Sequence, residues 1–275
     1  IGIEMASYFA SAGSVVVVIE MLGTVGGPVD RDISGALLGS LRKKGITVEL
    51  DSRVESVSQN NGRVALEISS GTKKSLVEAD KALFSIGRRP FAFGAGLDTI
   101  GVEFDKSGVK TDGRMRTNVS GVYAAGDVTG RMMLAHVAYR QAEVAVSDMR
   151  GCPVRGGMRY DSVPSVIYAQ PESAAVGLTE QGAIESGIDY FCAKVPMAYS
   201  GRYLAENEGD DGFCKIIADK KTERILGVHM IGGYSSEIIL RRRHDRDLRD
   251  DRAREANGIP PPDRRGNYQR NAGPN

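Results

Sequence analysis

The feature that most constrains the fold is a run of β-branched residues, Val15–Ile19, lying between two amphipathic patterns. A continuous apolar run of this length is typical of a strand buried on both faces of a parallel sheet. Apolar residues recur at helical spacing in Ile3–Ala10, before Gly13, and again in Ile33–Leu41. We therefore predict a helix, a buried strand and a second helix, as in a doubly wound α/β sheet.

Other segments continue this alternation. We predict strands at 46–50, at 64–68 and, buried, at 82–86 before Gly87. A short strand at 121–125 should lead into Gly126-Asp127, and a helix should cover 134–149. From residue 161 the pattern changes to that of an α+β domain. Its predicted elements are strands at 165–168, 213–218 and 225–231 and a helix near 179–185.

Composition excludes several classes of function. The 275 residues suffice for one large or two modest domains, and the net charge of +1 creates no field that would attract nucleic acid. No apolar run is long enough to span a membrane and no signal peptide is visible, so we expect a cytoplasmic protein. The three cysteines show neither CxxC nor CxxxxC spacing, and the three histidines form no ligand cluster. We therefore predict reduced thiols and no metal site.

Two acidic residues are candidates for cofactor binding. Gly2 can be the last glycine of a GxGxxG loop, and Glu20 ends the following strand, where a carboxylate accepts hydrogen bonds from an adenosine ribose. No cation follows Glu20 at 21–23, which favours NAD over NADP. Asp127 follows a predicted strand, at the sheet edge where α/β folds bind ligands. The alternatives are a solvated strand-end acid for Glu20 and an ordinary turn aspartate for Asp127.

Eight sequence blocks occur in an order that resembles the pyridine-nucleotide disulfide oxidoreductases, and most closely the dihydrolipoamide dehydrogenases. The resemblance runs from Ile1 to about Ile239. The blocks are Ile1-Gly2-Ile3-Glu4, Val18-Ile19-Glu20, Ser85-Ile86-Gly87-Arg88-Arg89-Pro90, Tyr123-Ala124-Ala125-Gly126-Asp127-Val128, Met133-Leu134-Ala135-His136, Val163-Pro164-Ser165-Val166-Ile167-Tyr168, Gln170-Pro171-Glu172 and Gly227-Val228-His229-Met230-Ile231-Gly232.

The resemblance implies two cofactors, NAD and FAD, and a set of binding residues for each. The residues implied for NAD are Ile1, Gly2, Ile3 and Glu4 at the end of the pyrophosphate loop, Glu20 at the ribose, Val54 at the adenine and Gly87 at a close approach. The residues implied for FAD are Asp127 at the ribityl or pyrophosphate region, and Met133, Leu134, Ala135 and His136, whose backbone would contact the flavin ring.

The resemblance also implies a reaction and partners. Family members oxidise dihydrolipoamide with NAD⁺ through a redox disulfide and FAD, and the protein supplies positioning and a base. The implied partners are a second copy in a homodimer and a lipoyl-bearing protein of a 2-oxoacid dehydrogenase complex as substrate. The CxxxxC motif and the closing His-Pro-Thr segment are absent from this sequence. We therefore name no catalytic residue and expect the chain alone to be inactive.

The resemblance divides the chain into four regions. Residues 1–90 would be an NAD-binding domain without its first strand and glycines, and 91–160 a remnant of an FAD-binding domain. Residues 161–240 would be an incomplete dimerisation domain. The Arg-rich segment 241–275 has few large apolar side chains, so we predict that it is disordered. We hypothesise that it is a frameshifted reading of the family's usual C-terminus.

Two other interpretations remain open. One is another flavoprotein disulfide reductase of the mercuric or glutathione type, although Glu20 without following arginines argues against NADPH-linked members. The other is a non-enzymatic NAD-binding or dimerisation module.

Overall fold

The computed structural model describes residues 1–207 and 211–239, except for the side chain of residue 60. Its helices are α1 (Gly2–Ser11), α2 (Arg31–Lys43), α3 (Ala135–Met149), α4 (Glu180–Glu185) and α5 (Gly201–Glu206). Its strands are β1 (Val17–Ile19), β2 (Thr47–Glu49), β3 (Arg53–Asn60), β4 (Arg63–Ser70), β5 (Lys73–Ala79), β6 (Phe104–Asp105), β7 (Gly108–Val109), β8 (Pro164–Ile167), β9 (Ser173–Gly177), β10 (Tyr190–Pro196), β11 (Phe213–Asp219) and β12 (Ile225–Ile231).

The chain forms two compact units. Of the described residues, the first comprises 1–25 and 44–163, and the second comprises 26–43, 164–207 and 211–239. Helix α2 therefore belongs to the second unit, although the sequence pattern grouped it with the first 90 residues. The boundaries of the four predicted regions stay a prediction, and the predicted disorder of 241–275 lies outside the described residues.

The first unit contains a short parallel sheet of β1 and β2, with Val18 opposite Val48. The predicted order of helix and strand is confirmed, but the predicted burial of the β-branched run is wrong. Val15 is 96% exposed and Val17 is 40% exposed. The physical reason is that β1 has β2 as its hydrogen-bonded neighbour on one side and, within the described residues, no strand on the other.

An antiparallel meander of β3, β4 and β5 follows in the same unit. The turn between β3 and β4 has positive φ at both Asn61 (49°) and Gly62 (82°), as a two-residue type I′ turn requires. Gly71, with φ of 58°, lies in the turn between β4 and β5. The strand predicted from the alternation at 64–68 is confirmed as β4.

Two predicted strands of the first unit are wrong. Residues 82–86 form no strand, and Ile86 is 94% exposed. The segment 121–125 is reduced to one antiparallel bridge between Arg116 and Tyr123. An apolar segment forms a strand only if a neighbouring strand pairs with its backbone. Within the described residues, neither segment belongs to a sheet. The helix predicted at 134–149 is confirmed as α3.

The second unit is built on a five-stranded antiparallel sheet in the order β10-β11-β12-β9-β8. Ile217, Val228 and Met230 are buried on it, together with Ile239 beyond β12. Helix α4 begins after Thr179, whose side chain accepts a 3.0 Å hydrogen bond from the amide of Gly182. The predicted strands and helix of this region are confirmed.

The predicted fold class, an α/β part followed by an α+β part, is confirmed. In the part of the chain that the structure describes, no helix is both long and apolar enough to cross a membrane.

Candidate functional site

The first part of the candidate site is the N-terminus of α1, which contains Ile1, Gly2, Ile3 and Glu4. The Ile1 amino group lies 3.3 Å from a carboxylate oxygen of Glu4. A Cβ on Gly2 would lie 3.2 Å from the Cβ of Ser85, so the segment before Gly87 lies directly against the start of this helix.

Gly87 itself has an open environment. Its φ is +107°, and a Cβ built on it would meet no atom within 4 Å. A backbone that is left uncovered in this way can be approached closely by a ligand. Gly87 and the α1 N-terminus thus fit the edge of a dinucleotide site.

Glu20 follows β1 at its carboxyl end. One carboxylate oxygen of Glu20 accepts a 2.8 Å hydrogen bond from the amide of Leu22, which fixes the direction of the side chain. The Glu20 carbonyl accepts a 3.0 Å hydrogen bond from the amide of Ser52, two residues before Val54. Val54 pairs with Ile68 and is 38% exposed. The structure therefore brings the proposed ribose and adenine residues to neighbouring positions.

The second part of the candidate site is the turn at Gly126-Asp127. Gly126 has φ of 85° and ψ of −162°, a conformation that residues with a side chain rarely adopt. The exposed Asp127 begins a short 3-10 helix that ends at Thr129. A Cβ on Gly108 would lie 2.6 Å from the carbonyl carbon of Thr129, so the β6–β7 hairpin packs tightly on this turn.

The N-terminus of α3 provides the third part. Leu134 is the N-cap residue and has extended backbone angles, Ala135 begins the helix, and His136 lies in its first turn. The first amides of a helix have no acceptor within the helix and carry partial positive charge, which suits a negatively polarised ligand atom. Met133 and Leu134 are half-buried. Further along, α3 is anchored by Val137, Val144 and Ala145, which pack in a cluster with Met115 and Met158.

The sequence analysis missed two polar residues of α3, Gln141 and Asp148. Both are buried, and a separation of seven residues places them on one face of the helix. This spacing, on a face that is otherwise apolar, is the signal that identifies them. Asp148 accepts hydrogen bonds from Arg116 at 2.5 and 2.6 Å and from the Tyr123 hydroxyl at 2.8 Å. The hydrogen bonds from Arg116 lower the pKa of Asp148 to about 2.

The second unit contains a buried ionic cluster that the sequence analysis also missed. The Lys215 ammonium lies 2.8 Å from Asp30, 2.6 Å from Glu180 and 3.1 Å from Asp32. Burial opposes ionisation of Asp30, but hydrogen bonds from Lys215 and from the amides of Glu180 and Asp32 outweigh it and lower the pKa of this carboxyl. Lys215 lies two residues from Phe213 and two from Ile217 on β11, so the three side chains share one buried face of the strand. The inward direction of Lys215 is therefore visible in the sequence.

No catalytic group emerges from the described residues. In the part of the chain that the structure describes, Cys152, Cys192 and Cys214 form no disulfide. Within 1–207 and 211–239, no group of three or more His, Cys, Asp or Glu side chains is arranged to hold a metal ion. Helix N-termini, an exposed carboxylate at a strand end and uncovered glycine backbone are groups suited to holding a nucleotide cofactor.

Family models match both parts of the chain. Residues 1–142 match the family described as "Pyridine nucleotide-disulphide oxidoreductase", and residues 163–241 match its dimerisation domain. The chain therefore belongs to the pyridine nucleotide-disulphide oxidoreductase family. Members of this family use FAD and NAD(H).

The similar curated proteins are mostly dihydrolipoyl dehydrogenases. The mitochondrial dihydrolipoyl dehydrogenase of Schizosaccharomyces pombe is 40% identical over 242 residues, which is 87% of this chain and 47% of the relative. Leghemoglobin reductase of Glycine max is also 40% identical, over 87% of this chain and 46% of the relative. The chain thus spans about half the length of the curated relatives it matches.

Solved structures agree with the fold. LpdA from Mycobacterium tuberculosis superposes with a TM-score of 0.78 at 28% identity, covering 86% of this chain and 51% of the other. The HOCl-induced flavoprotein disulfide reductase RclA from Escherichia coli gives a TM-score of 0.77 at 27% identity, covering 87% and 54%.

Proposed function

We propose that this chain is the NAD-binding, partial FAD-binding and dimerisation part of an FAD-dependent dihydrolipoyl dehydrogenase. The observation that carries the proposal is Glu20 at the carboxyl end of β1, a strand that contacts α1, with no cation in the next three residues. The 40% identity to dihydrolipoyl dehydrogenases supports the substrate class.

The NAD site would be formed within the first unit. Ile1, Gly2, Ile3 and Glu4 would present the α1 N-terminus to the pyrophosphate, because helix N-termini bind anions. Glu20 would accept hydrogen bonds from the adenosine ribose hydroxyls, and a 2′-phosphate would be repelled by the same carboxylate. The partly exposed Val54 would pack against the adenine, and Gly87 would leave room for the cofactor at its uncovered backbone.

The FAD site would use the turn at Asp127 and the start of α3. Asp127 would accept a hydrogen bond from a ribityl hydroxyl, and the backbone at Met133, Leu134, Ala135 and His136 would contact the flavin ring. FAD supplies the transfer of electrons between a dithiol and NAD⁺. The contribution of this chain is to hold the flavin edge by backbone groups that packing has already ordered.

The partners follow from the same assignment. The dimerisation domain indicates a homodimer, and the proposed substrate is a lipoyl-bearing protein of a 2-oxoacid dehydrogenase complex. The sequence has no CxxxxC pair, so dihydrolipoamide turnover by this chain alone should be at background. The cytoplasmic location stays a prediction, since several relatives are named as mitochondrial proteins.

A second candidate is a different flavoprotein disulfide reductase. The likeness to RclA, with a TM-score of 0.77, is the observation that favours it. The two candidates share the cofactor sites and differ in the disulfide or dithiol substrate.

Calorimetry of the full chain with NAD⁺ and with NADP⁺ tests the proposal. We expect NAD⁺ to bind more tightly than NADP⁺, and Glu20→Gln to weaken NAD⁺ binding by about tenfold through loss of charge-assisted hydrogen bonds. Glu78→Gln, on the exposed face of β5, is the matched control and should leave binding unchanged. Equal affinity for both nucleotides, or an unaffected Glu20→Gln variant, would contradict the assignment.

A further inference from the structure

Gln141 is a fully buried amide that none of the cofactor roles above includes. It lies on α3 and is 0% exposed. A buried carboxamide costs free energy unless its oxygen and its nitrogen both find partners. Here each does, so the side chain is held in one orientation.

The Gln141 oxygen is directed at the turn that carries Asp127. It accepts a 2.6 Å hydrogen bond from the backbone amide of Gly126. The Gln141 nitrogen donates to the Tyr160 hydroxyl at 2.9 Å and to the Thr129 hydroxyl at 3.3 Å. Gln141 therefore connects α3 to both ends of the turn.

The same turn is fixed at its carbonyl by a second side chain. The Thr129 hydroxyl donates a 2.9 Å hydrogen bond to the carbonyl of Gly126, and the Thr129 amide donates to the same oxygen at 3.0 Å. Gly126 thus has both of its backbone polar groups held. Its conformation, φ of 85° and ψ of −162°, is open to glycine but rarely adopted by a residue with a side chain, and the two hydrogen bonds select it among the many conformations that glycine can take.

We propose that Gln141 is the positioning residue that sets the Gly126–Asp127 backbone for flavin binding. The proposal rests on the proposed function, because it takes Asp127 as a residue that binds FAD. α3 carries Gln141 and, one and a half turns earlier, the segment proposed to contact the flavin ring. One helix would therefore place both groups that touch the cofactor, and Gln141 would keep their spacing constant.

The chemistry of the amide explains why an apolar residue cannot replace it. Leucine has a similar size, but it would leave the half-buried Gly126 amide without its acceptor, and a donor that is shielded from water and has no partner destabilises the fold. Glutamate keeps an oxygen at the same reach, and the Tyr160 hydroxyl can donate to its carboxylate while the Thr129 hydroxyl keeps its hydrogen bond to the Gly126 carbonyl. Asparagine keeps the amide but is one methylene too short.

The test uses the full chain with four variants, Gln141→Leu, Gln141→Asn, Gln141→Glu and, as control, Glu143→Gln on the exposed face of α3. Amide hydrogen exchange is measured by NMR without cofactor, and FAD binding by quenching of flavin fluorescence. The Leu and Asn variants should speed exchange of the Gly126 amide by about tenfold and weaken FAD binding by about tenfold. The amides of Val144 and Ala145 should exchange as in the parent.

The conservative variant separates positioning from general packing. Gln141→Glu should stay within about threefold of the parent in both measurements, because it keeps the acceptor for Gly126. Glu143→Gln should match the parent. If the Leu variant does not fold, the Asn variant carries the same expectation.

Two results would overturn the inference. The first is a folded Leu or Asn variant in which the Gly126 amide exchanges at the parent rate. The second is a Leu or Asn variant in which this amide exchanges faster but FAD binds with the parent affinity. A parent chain that protects Gly126 through Gln141 but binds no FAD would distinguish the two proposals. It would support the control of the turn by Gln141 and refute the assignment of the turn to flavin.

Discussion

Replacing Lys215 by methionine should destabilise the second unit by about 3 kcal/mol, at the lower end of the range for breaking a buried ion pair. The Lys215 side chain is 2% exposed and its partner Asp30 is 0% exposed. Methionine preserves most of the volume but leaves the Asp30 carboxylate buried without a cation. Glu180 and Asp32 are more exposed, so water can solvate them and their contribution is small.

Two hydrogen bonds limit the cost. The Asp30 carboxylate accepts the amide of Asp32 at 3.0 Å and the amide of Glu180 at 3.0 Å, and it keeps both in the variant. These amides begin α2 and α4, so one carboxylate caps two helices as well as pairing with Lys215. For this reason we place the expected loss near 3 rather than 5 kcal/mol.

The pH dependence of the effect has a definite sign. Hydrogen bonds from Lys215 lower the pKa of Glu180, and those from Lys215 and two amides lower the pKa of Asp30 against the opposing effect of burial. A lowered folded-state pKa gives stability that is present above the unfolded pKa, ordinarily 4.5 for Glu and 3.8 for Asp. That stability is lost as the pH falls through the folded values. The difference between parent and Lys215→Met should therefore be full at pH 7 and shrink below about pH 4.

Urea unfolding at pH 7 and at pH 3 measures this difference. Lys220→Met is the matched control, because Lys220 pairs with Asp189 at 2.8 Å on an exposed surface and should contribute less than about 1 kcal/mol. The double variant Asp30→Asn with Lys215→Met removes the orphan charge and should recover part of the loss. A double variant no more stable than Lys215→Met, or a Lys215→Met loss below about 0.5 kcal/mol at pH 7, would refute the reasoning.

Three further substitutions are informative, two in the first unit and one in α2 of the second unit. Arg116→Gln should lower the melting temperature at pH 7. The difference in melting temperature between parent and variant should fade as the pH drops from about 4 toward 2, because Asp148 takes up a proton in the parent over this range. A difference that stays constant from about pH 4 to about pH 2 would count against the ion pair. Gly126→Ala should destabilise the turn by about 1–3 kcal/mol because of its φ of 85°. Gly39→Ala, on the exposed face of α2, should instead stabilise the protein by about 0.5–1 kcal/mol. Urea unfolding measures both variants, and a change in unfolding free energy of the same sign for Gly126→Ala and Gly39→Ala would contradict this.

Local pattern predicted the elements whose stabilising contacts lie close in sequence. The helical spacing of α3 and the turn residues Asn61-Gly62 each specify a conformation by nearest neighbours and backbone preference. Along β12, successive side chains point to opposite faces of the sheet, whichever strand lies beside it. The sequence alone therefore assigns each side chain of β12 to a face. The end of β1 at Glu20 is local in the same way, so the proposal of a nucleotide-binding role for that residue could be made from the sequence.

Tertiary structure alone decided burial and partnership. Val15 and Ile86 lie in segments of strand-like composition, yet both are exposed, because composition does not supply a strand beside them. Lys215 and Asp30 are 185 residues apart, and Gln141 meets Gly126 across 15 residues and a change of direction. A hydrogen bond forms only within about 3 Å and with aligned groups. A one-dimensional pattern states which side chains point inward, but it does not state which of them meet.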